Sequence, residues 1–169
     1  MNNYVYALDI GANGTSNITS DSTTLQKFTG ANATVNVSNS ATLERANQPV
    51  LVNEQSGGTV TVESGSTISA TVANTIQGID SANLTVTNSG TIQAGTSKAI
   101  NLTDNEGARV TNNAGGIIKS DTNTISLSEN DEDVVDDIII TNHGTIFATD
   151  NSDTSGHNVI KSSDGVTNL

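Results

Sequence analysis

Asn83–Leu102 reads NLTVTNSGTIQAGTSKAINL. Three short apolar beats, Leu84/Val86, Ile92 and Ile100/Leu102, are separated by Asn, Gly, Ser and Thr. Each beat is too short for a helix and is bounded by turn formers, so each reads as a strand between corners. The unit recurs. Val-Thr-Asn-Ser-Gly-Thr-Ile at Val86–Ile92 returns as Ile-Thr-Asn-His-Gly-Thr-Ile at Ile140–Ile146, and in degenerate form at 37–43, 62–68 and 110–118.

Extended in both directions, the unit sorts the aliphatic residues into three columns. Position one, ending the first strand, holds Ile10, Val37, Val62, Val86, Val110 and Ile140. Position two, after the Asn–Gly corner, holds Ile18, Leu43, Ile68, Ile92, Ile118 and Ile146. Position three holds Leu25, Leu51, Ile76, Ile100, Ile125 and Ile160. From Leu51 to Ile125 the steps are 25, 24 and 25 residues, and from Val37 to Val110 they are 25, 24 and 24. A fixed period shared by independent columns is the signature of a solenoid. Position one also has an apolar companion two residues earlier, the period-two pattern of a strand with one buried face.

Two small columns keep phase with these. Asn39, Ser64, Asn88, Asn112 and Asn142 suit a corner whose side chain bonds the backbone or its own copy on the next coil. Ala41, Ser66, Gly90, Gly116 and Gly144 suit a bend with little room for a Cβ. Three strands and three corners per period describe one coil of a parallel β-helix, right-handed by the rule for parallel crossovers. The reading is all-β: one solenoid domain over 1–169, of about six coils with a 24–25 residue repeat. Loop excursions are expected at 129–137 and 149–156, where the spacing stretches, and at Ser20–Thr24. Val166 and Leu169 read as the start of a further coil, so the chain is expected to be a piece of a longer solenoid.

Composition fits many thin apolar layers rather than one thick core: 33% of residues are hydrophobic and 2% aromatic. The net charge of −12, from 18 acidic and 6 basic residues, opposes binding to nucleic acid or to anionic lipid. With no Cys there is neither a disulfide framework nor a thiolate metal site. No segment approaches the length of a spanning helix, so no membrane insertion by this segment is expected. MNNYVYALDI lacks the basic start and apolar run of a signal peptide.

The Val-Thr-Asn-x-Gly-Thr-Ile units lie in a chain rich in Asn, Thr, Ser, Gly and Ala. From about Ala7 to Val166 they resemble the passenger regions of Gram-negative autotransporters, the type V secreted proteins. The resemblance implies an extracellular right-handed β-helix on the surface of a Gram-negative bacterium, acting as a non-catalytic stalk or adhesin. It implies as partners a host-cell or matrix surface, glycans, or further copies meeting through solenoid edges. Polysaccharide lyases and phage tail spikes share the architecture, which leaves a carbohydrate-active segment as the alternative.

Chemistry concentrates in one place. Glu129–Asp137 is a dense acidic run whose Asp131, Asp133, Asp136 and Asp137 are the candidate ligands for a weakly held Ca²⁺; no other cofactor is expected. It lacks the glycine spacing of an EF-hand loop and reads first as a solvated loop. His143 falls in the Asn-x-Gly corner, where Ser89 and Ser40 stand in other coils, and reads as an exposed corner residue. His157 sits near Asp150 and Asp153 without a nucleophile or third ligand. The six basic residues are scattered, and no catalytic residue is assigned. A Thr column before position two (Thr42, Thr67, Thr91 and Thr145, interrupted by Ile117) leaves an ice-binding solenoid as a second alternative.

If the columns face inward as read, Ile92→Asp buries an unpaired charge and costs more than about 4 kcal/mol in denaturant unfolding. Thr87→Asp, on the outer face, stays within about 0.5 kcal/mol.

Overall fold

The computed structural model describes residues 7–128, 137–149 and 158–162. Among them there is no helix, and the strands are β1 (Ala7–Ile10), β2 (Thr15–Ile18), β3 (Leu25–Phe28), β4 (Thr34–Val37), β5 (Thr42–Arg45) and β6 (Leu51–Asn53). They continue as β7 (Thr59–Val62), β8 (Thr67–Ala70), β9 (Ile76–Ile79), β10 (Thr85–Asn88), β11 (Thr91–Ala94) and β12 (Ile100–Thr103). The last are β13 (Arg109–Asn112), β14 (Ile117–Ser120), β15 (Ile125–Ser128), β16 (Ile139–Asn142), β17 (Thr145–Ala148) and β18 (Ile160–Ser162).

Every pairing is parallel and joins one turn to the next. A seven-stranded sheet runs β1-β3-β6-β9-β12-β15-β18, a six-stranded one β16-β13-β10-β7-β4-β2, and a five-stranded one β17-β14-β11-β8-β5. The chain is therefore a parallel β-solenoid. About five turns carry a strand in each sheet, against the six coils read from the sequence, because the first turn reaches the five-stranded sheet only through a single bridge, Ser22 to Leu43. Ser20–Thr24, read as a bulging corner, thus contributes to the stack.

Positions two and three stack as read. Leu43, Ile68, Ile92, Ile118 and Ile146 are successive Cα partners, and so are Leu51, Ile76, Ile100, Ile125 and Ile160. From Leu43 to Ile118 and from Leu51 to Ile125 these residues are completely buried. Each pair of neighbours removes apolar surface from water at about 25 cal/mol per Å², and no turn can bury its own face alone.

Position one needs two corrections. Val86 pairs with Val60, not Val62, so the stacked columns are Val35–Val60–Val86–Val110–Ile140 and Val37–Val62–Asn88–Asn112–Asn142. Both phases of the strand face inward, so a two-residue slip preserves the apolar pattern. The first turn is also rephased. Ile10 pairs with Phe28 in the seven-stranded sheet, Ile18 with Val37 in the six-stranded sheet, and Leu51 stands on Gln26 rather than Leu25.

Corner length explains the slip. Between the six- and five-stranded sheets, residues 38–41, 63–66 and 113–116 make four-residue corners, whereas 89–90 and 143–144 make two-residue ones. The long corners use left-handed residues, Asn39 (φ 56) and Ser40 (φ 58), Gly65 (φ 82) and Gly115 (φ 83). In the short ones an Asn side chain replaces the missing residues: Asn88 Oδ1 accepts from the Gly90 N–H at 3.2 Å, and Asn142 Oδ1 from the Gly144 N–H at 3.2 Å. A Cβ at Gly90 would lie 2.3 Å from the Ser66 carbonyl oxygen and 2.4 Å from that of Glu63, so this corner admits only glycine.

The same Asn residues form a ladder inside the solenoid. Asn88 Nδ2 donates to Asn112 Oδ1 at 2.8 Å, and Asn112 Nδ2 to Asn142 Oδ1 at 2.9 Å. Asn88 and Asn112 are fully buried, and their amides also reach the carbonyls of Ile117 and Thr145. A second buried chain, Asn53 Nδ2 to Ser81 Oγ (3.3 Å) and Ser81 Oγ to Asn105 Oδ1 (3.1 Å), lines the corner after the seven-stranded sheet. Buried amides are tolerated because each finds a partner on the adjacent turn, although Asn105 does so only through Oδ1, its Nδ2 being buried without a partner among the described residues.

Asn112→Ala therefore removes an amide that bonds two turns, and lowers stability by about 2–3 kcal/mol in denaturant unfolding. Asn113→Ala, one residue along and outside the ladder, changes it by about 0.5 kcal/mol.

Candidate functional site

The outward side chains of the five-stranded sheet form two columns. One is Thr42–Thr67–Thr91–Ile117–Thr145, the interrupted Thr column in the register read from the sequence. The other is Glu44–Ser69–Gln93–Lys119–Phe147. Past the strand ends, Thr71, Gly95, Asp121 and Thr149 stack in the same way, each N–H donating to the turn before, as Gly95 does to Ala70 and Asp121 to Gly95.

The surface is hollow between the second column and this corner. A cavity of ≈340 Å³ is lined by Glu44, Ser69, Gln93, Gly95, Lys119 and Asp121 among others. Two further hollows, of ≈480 Å³ beside Thr23, Arg45 and Gln48 and of ≈340 Å³ beside Asp21, Ser22 and Thr42, share Glu44 with it. The first runs along the axis from Glu44 to Thr149 as a groove, and the other two lie at its Glu44 end, between the turn of Asp21–Thr23 and that of Thr42–Gln48. Its floor is made of small groups. Ala70 and Ala94 are buried, and a Cβ on Gly95 would stand 2.3 Å from the Thr71 carbonyl oxygen. Ser69 points outward yet is only 9% exposed, because Gln93 closes over it and donates from Nε2 to its Oγ at 3.1 Å.

Charge in the groove is nearly balanced, with Asp21, Glu44 and Asp121 against Arg45 and Lys119. Arg45 donates to the Thr23 carbonyl at 3.2 Å and to Gln48 Oε1 at 2.7 Å, and desolvation by burial draws its pKa below the usual arginine value. Thr149 donates its hydroxyl to Asp121. The arrangement presents donors and acceptors turn after turn. The two carboxylates Glu44 and Asp121 line the same cavity.

Most of the acidic run is not among the described residues. Asp131, Asp133 and Asp136 lie outside the described residues, as do His157, Asp150 and Asp153. Asp137 is exposed, next to the buried Ile138. Among the described residues no three His, Asp or Glu side chains converge as metal ligands. His143 is exposed in its corner; its N–H bonds the Asn112 carbonyl as the Ser89 N–H bonds that of Val62, so the equivalent in the β4 turn is Ser38, and not Ser40. Of the scattered basic residues, register brings Arg45 and Lys119 to the groove, while Lys27 pairs with Glu54 at 3.7 Å on the surface, a contact worth little. The groove itself was missed. Its sequence signal was the column one residue after position two, in the same period as the Thr column one residue before it.

Among the described residues no helix is long and apolar enough to cross a membrane. Compared with protein-family models, curated proteins and solved structures, the chain matches none.

Gly95→Ala forces a Cβ against the backbone of the preceding turn, and is expected to lower the thermal midpoint by several degrees, a cost of about 1–3 kcal/mol. Gly11→Ala, where nothing lies within 4 Å of the added carbon, leaves it unchanged.

Proposed function

We propose that this chain is a non-catalytic, adhesive rod segment of an exported bacterial surface protein, of the autotransporter-passenger kind, working outside a Gram-negative cell. The observation that carries the reading is the groove. It is built by register alone, one set of equivalent side chains per turn, and runs along a stack whose length grows with the number of turns. The Val-Thr-Asn-x-Gly-Thr-Ile repeats and the acidic composition support a displayed, well-solvated rod. A carbohydrate-active segment is the alternative; Glu44 and Asp121 line one cavity, but they stand three turns apart, about 14 Å along the axis, farther than the paired carboxylates of glycoside hydrolysis.

The two readings separate on cells and in solution. Displayed on a non-adherent bacterium, the chain should confer attachment to surfaces coated with glycans or matrix proteins, and the purified protein should release no sugar fragments. Fragment release that disappears in Glu44→Gln or Asp121→Asn overturns the adhesive reading in favour of the enzyme.

A rod of equivalent turns also tolerates losing one. Deleting residues 85–108 joins Leu84 to Arg109, the register partner of Thr85. The product should remain a cooperative all-β protein, shorter by ~4.8 Å in small-angle scattering; unfolding would show that the turns are not interchangeable.

A further inference from the structure

We propose that the axial groove binds a linear, uncharged polysaccharide laid parallel to the solenoid axis, one sugar unit against each turn. This rests on the adhesive reading and names its ligand.

Direction comes first. The first cavity is lined by one group of residues from each of five successive turns, Glu44 to Thr149, so whatever fills it is elongated and axial. Spacing comes second. Successive turns stand ~4.8 Å apart, close to the advance per sugar of an extended polysaccharide, so a polymer of sugars meets an equivalent side chain at every step. A peptide strand advances ~3.3 Å per residue, so it misses the first turn and meets an equivalent position only at every second turn.

The lining chooses the chemistry. Glu44, Gln93, Lys119 and Asp121 offer carboxylate, amide and ammonium groups in succession, the partners that ring hydroxyls use, while Ser69 lies beneath Gln93 and holds its amide. The groove holds no run of aliphatic side chains to take an apolar peptide anchor. Three acidic and two basic residues leave it almost neutral, while the chain as a whole carries −12 and repels polyanions. The floor of Ala94 and Gly95 lets a ring approach the backbone.

The test is isothermal titration of the whole chain with cello-, xylo- and manno-oligosaccharides of increasing length, and with hyaluronan and polygalacturonate as charged probes. At least one neutral series should bind, with affinity rising per sugar until the turns from Glu44 to Thr149 are covered and then levelling off. Gln93→Ala should weaken binding by about tenfold, the loss of one hydrogen bond, and Lys119→Ala similarly. Both sites are on the outer face, so the fold survives, as circular dichroism would verify. Thr87→Ala, on the six-stranded sheet, should bind as the parent does.

No binding of any neutral series, tighter binding of the polyanions, or affinity indifferent to Gln93 and Lys119 each overturns the proposal. Cells displaying the chain that still attach to matrix protein would, in the first case, leave the adhesive rod standing without a sugar ligand.

Discussion

Parallel pairing between turns is the constraint on which everything else rests. A four-residue strand such as Thr91–Ala94 has no partner within its own turn; its backbone groups are satisfied only by Thr67–Ala70 on one side and Ile117–Ser120 on the other. Unpaired backbone groups are costly when buried, so each turn must repeat the path of its neighbour. That repetition places Ile68, Ile92 and Ile118 over one another and lets a chain with 2% aromatic residues enclose a buried core. Phe28, fully buried, is the exception.

Corners absorb what the strands cannot. A turn may lose two residues after β10 and regain them elsewhere without disturbing the columns, because the Asn88 side chain closes the shortened bend. Once such a side chain is inside, its remaining hydrogen-bonding capacity is met by the next turn, and Asn112 and Asn142 follow. The Val column of the early turns becomes an Asn column in the later ones. Apolar contact and amide ladder thus do the same work: each rewards a turn for lying in register on the one before.

The outer surface inherits that order. Outward residues stack as strictly as inward ones, so any difference in side-chain size along a column becomes relief on the surface. Ser69 and Gln93 between Glu44 and Lys119, beside the bare backbone of Gly95, produce a hollow where the sheet alone would be flat. Polar and weakly charged, such a hollow favours an extended hydroxylated ligand over a compact apolar one. It costs the fold little, since none of its lining belongs to the aliphatic columns.

The sequence by itself determined the architecture. Period fixes stacking: the column at Leu43, Ile68 and Ile92 has only one inward assignment, since polar residues flank it, and Leu51, between Val50 and Val52, takes its place from the period it shares with Ile76 and Ile100. It did not determine the pairing of Val86. Strand side chains alternate, so Val60 and Val62 are both inward and equally apolar, and only the length of the neighbouring corner, expressed in three dimensions, selects Val60. The first turn misled for a related reason: Ile10, Ile18 and Leu25 fit the three columns in order, yet a turn with a one-residue bridge in place of a strand shifts each to another place. The column beside the groove, one residue after position two, is legible in the period, but the groove itself belonged to the tertiary structure. A surface hollow is a difference in height between residues about two dozen apart, and nothing in the linear chain records height until the turns are stacked.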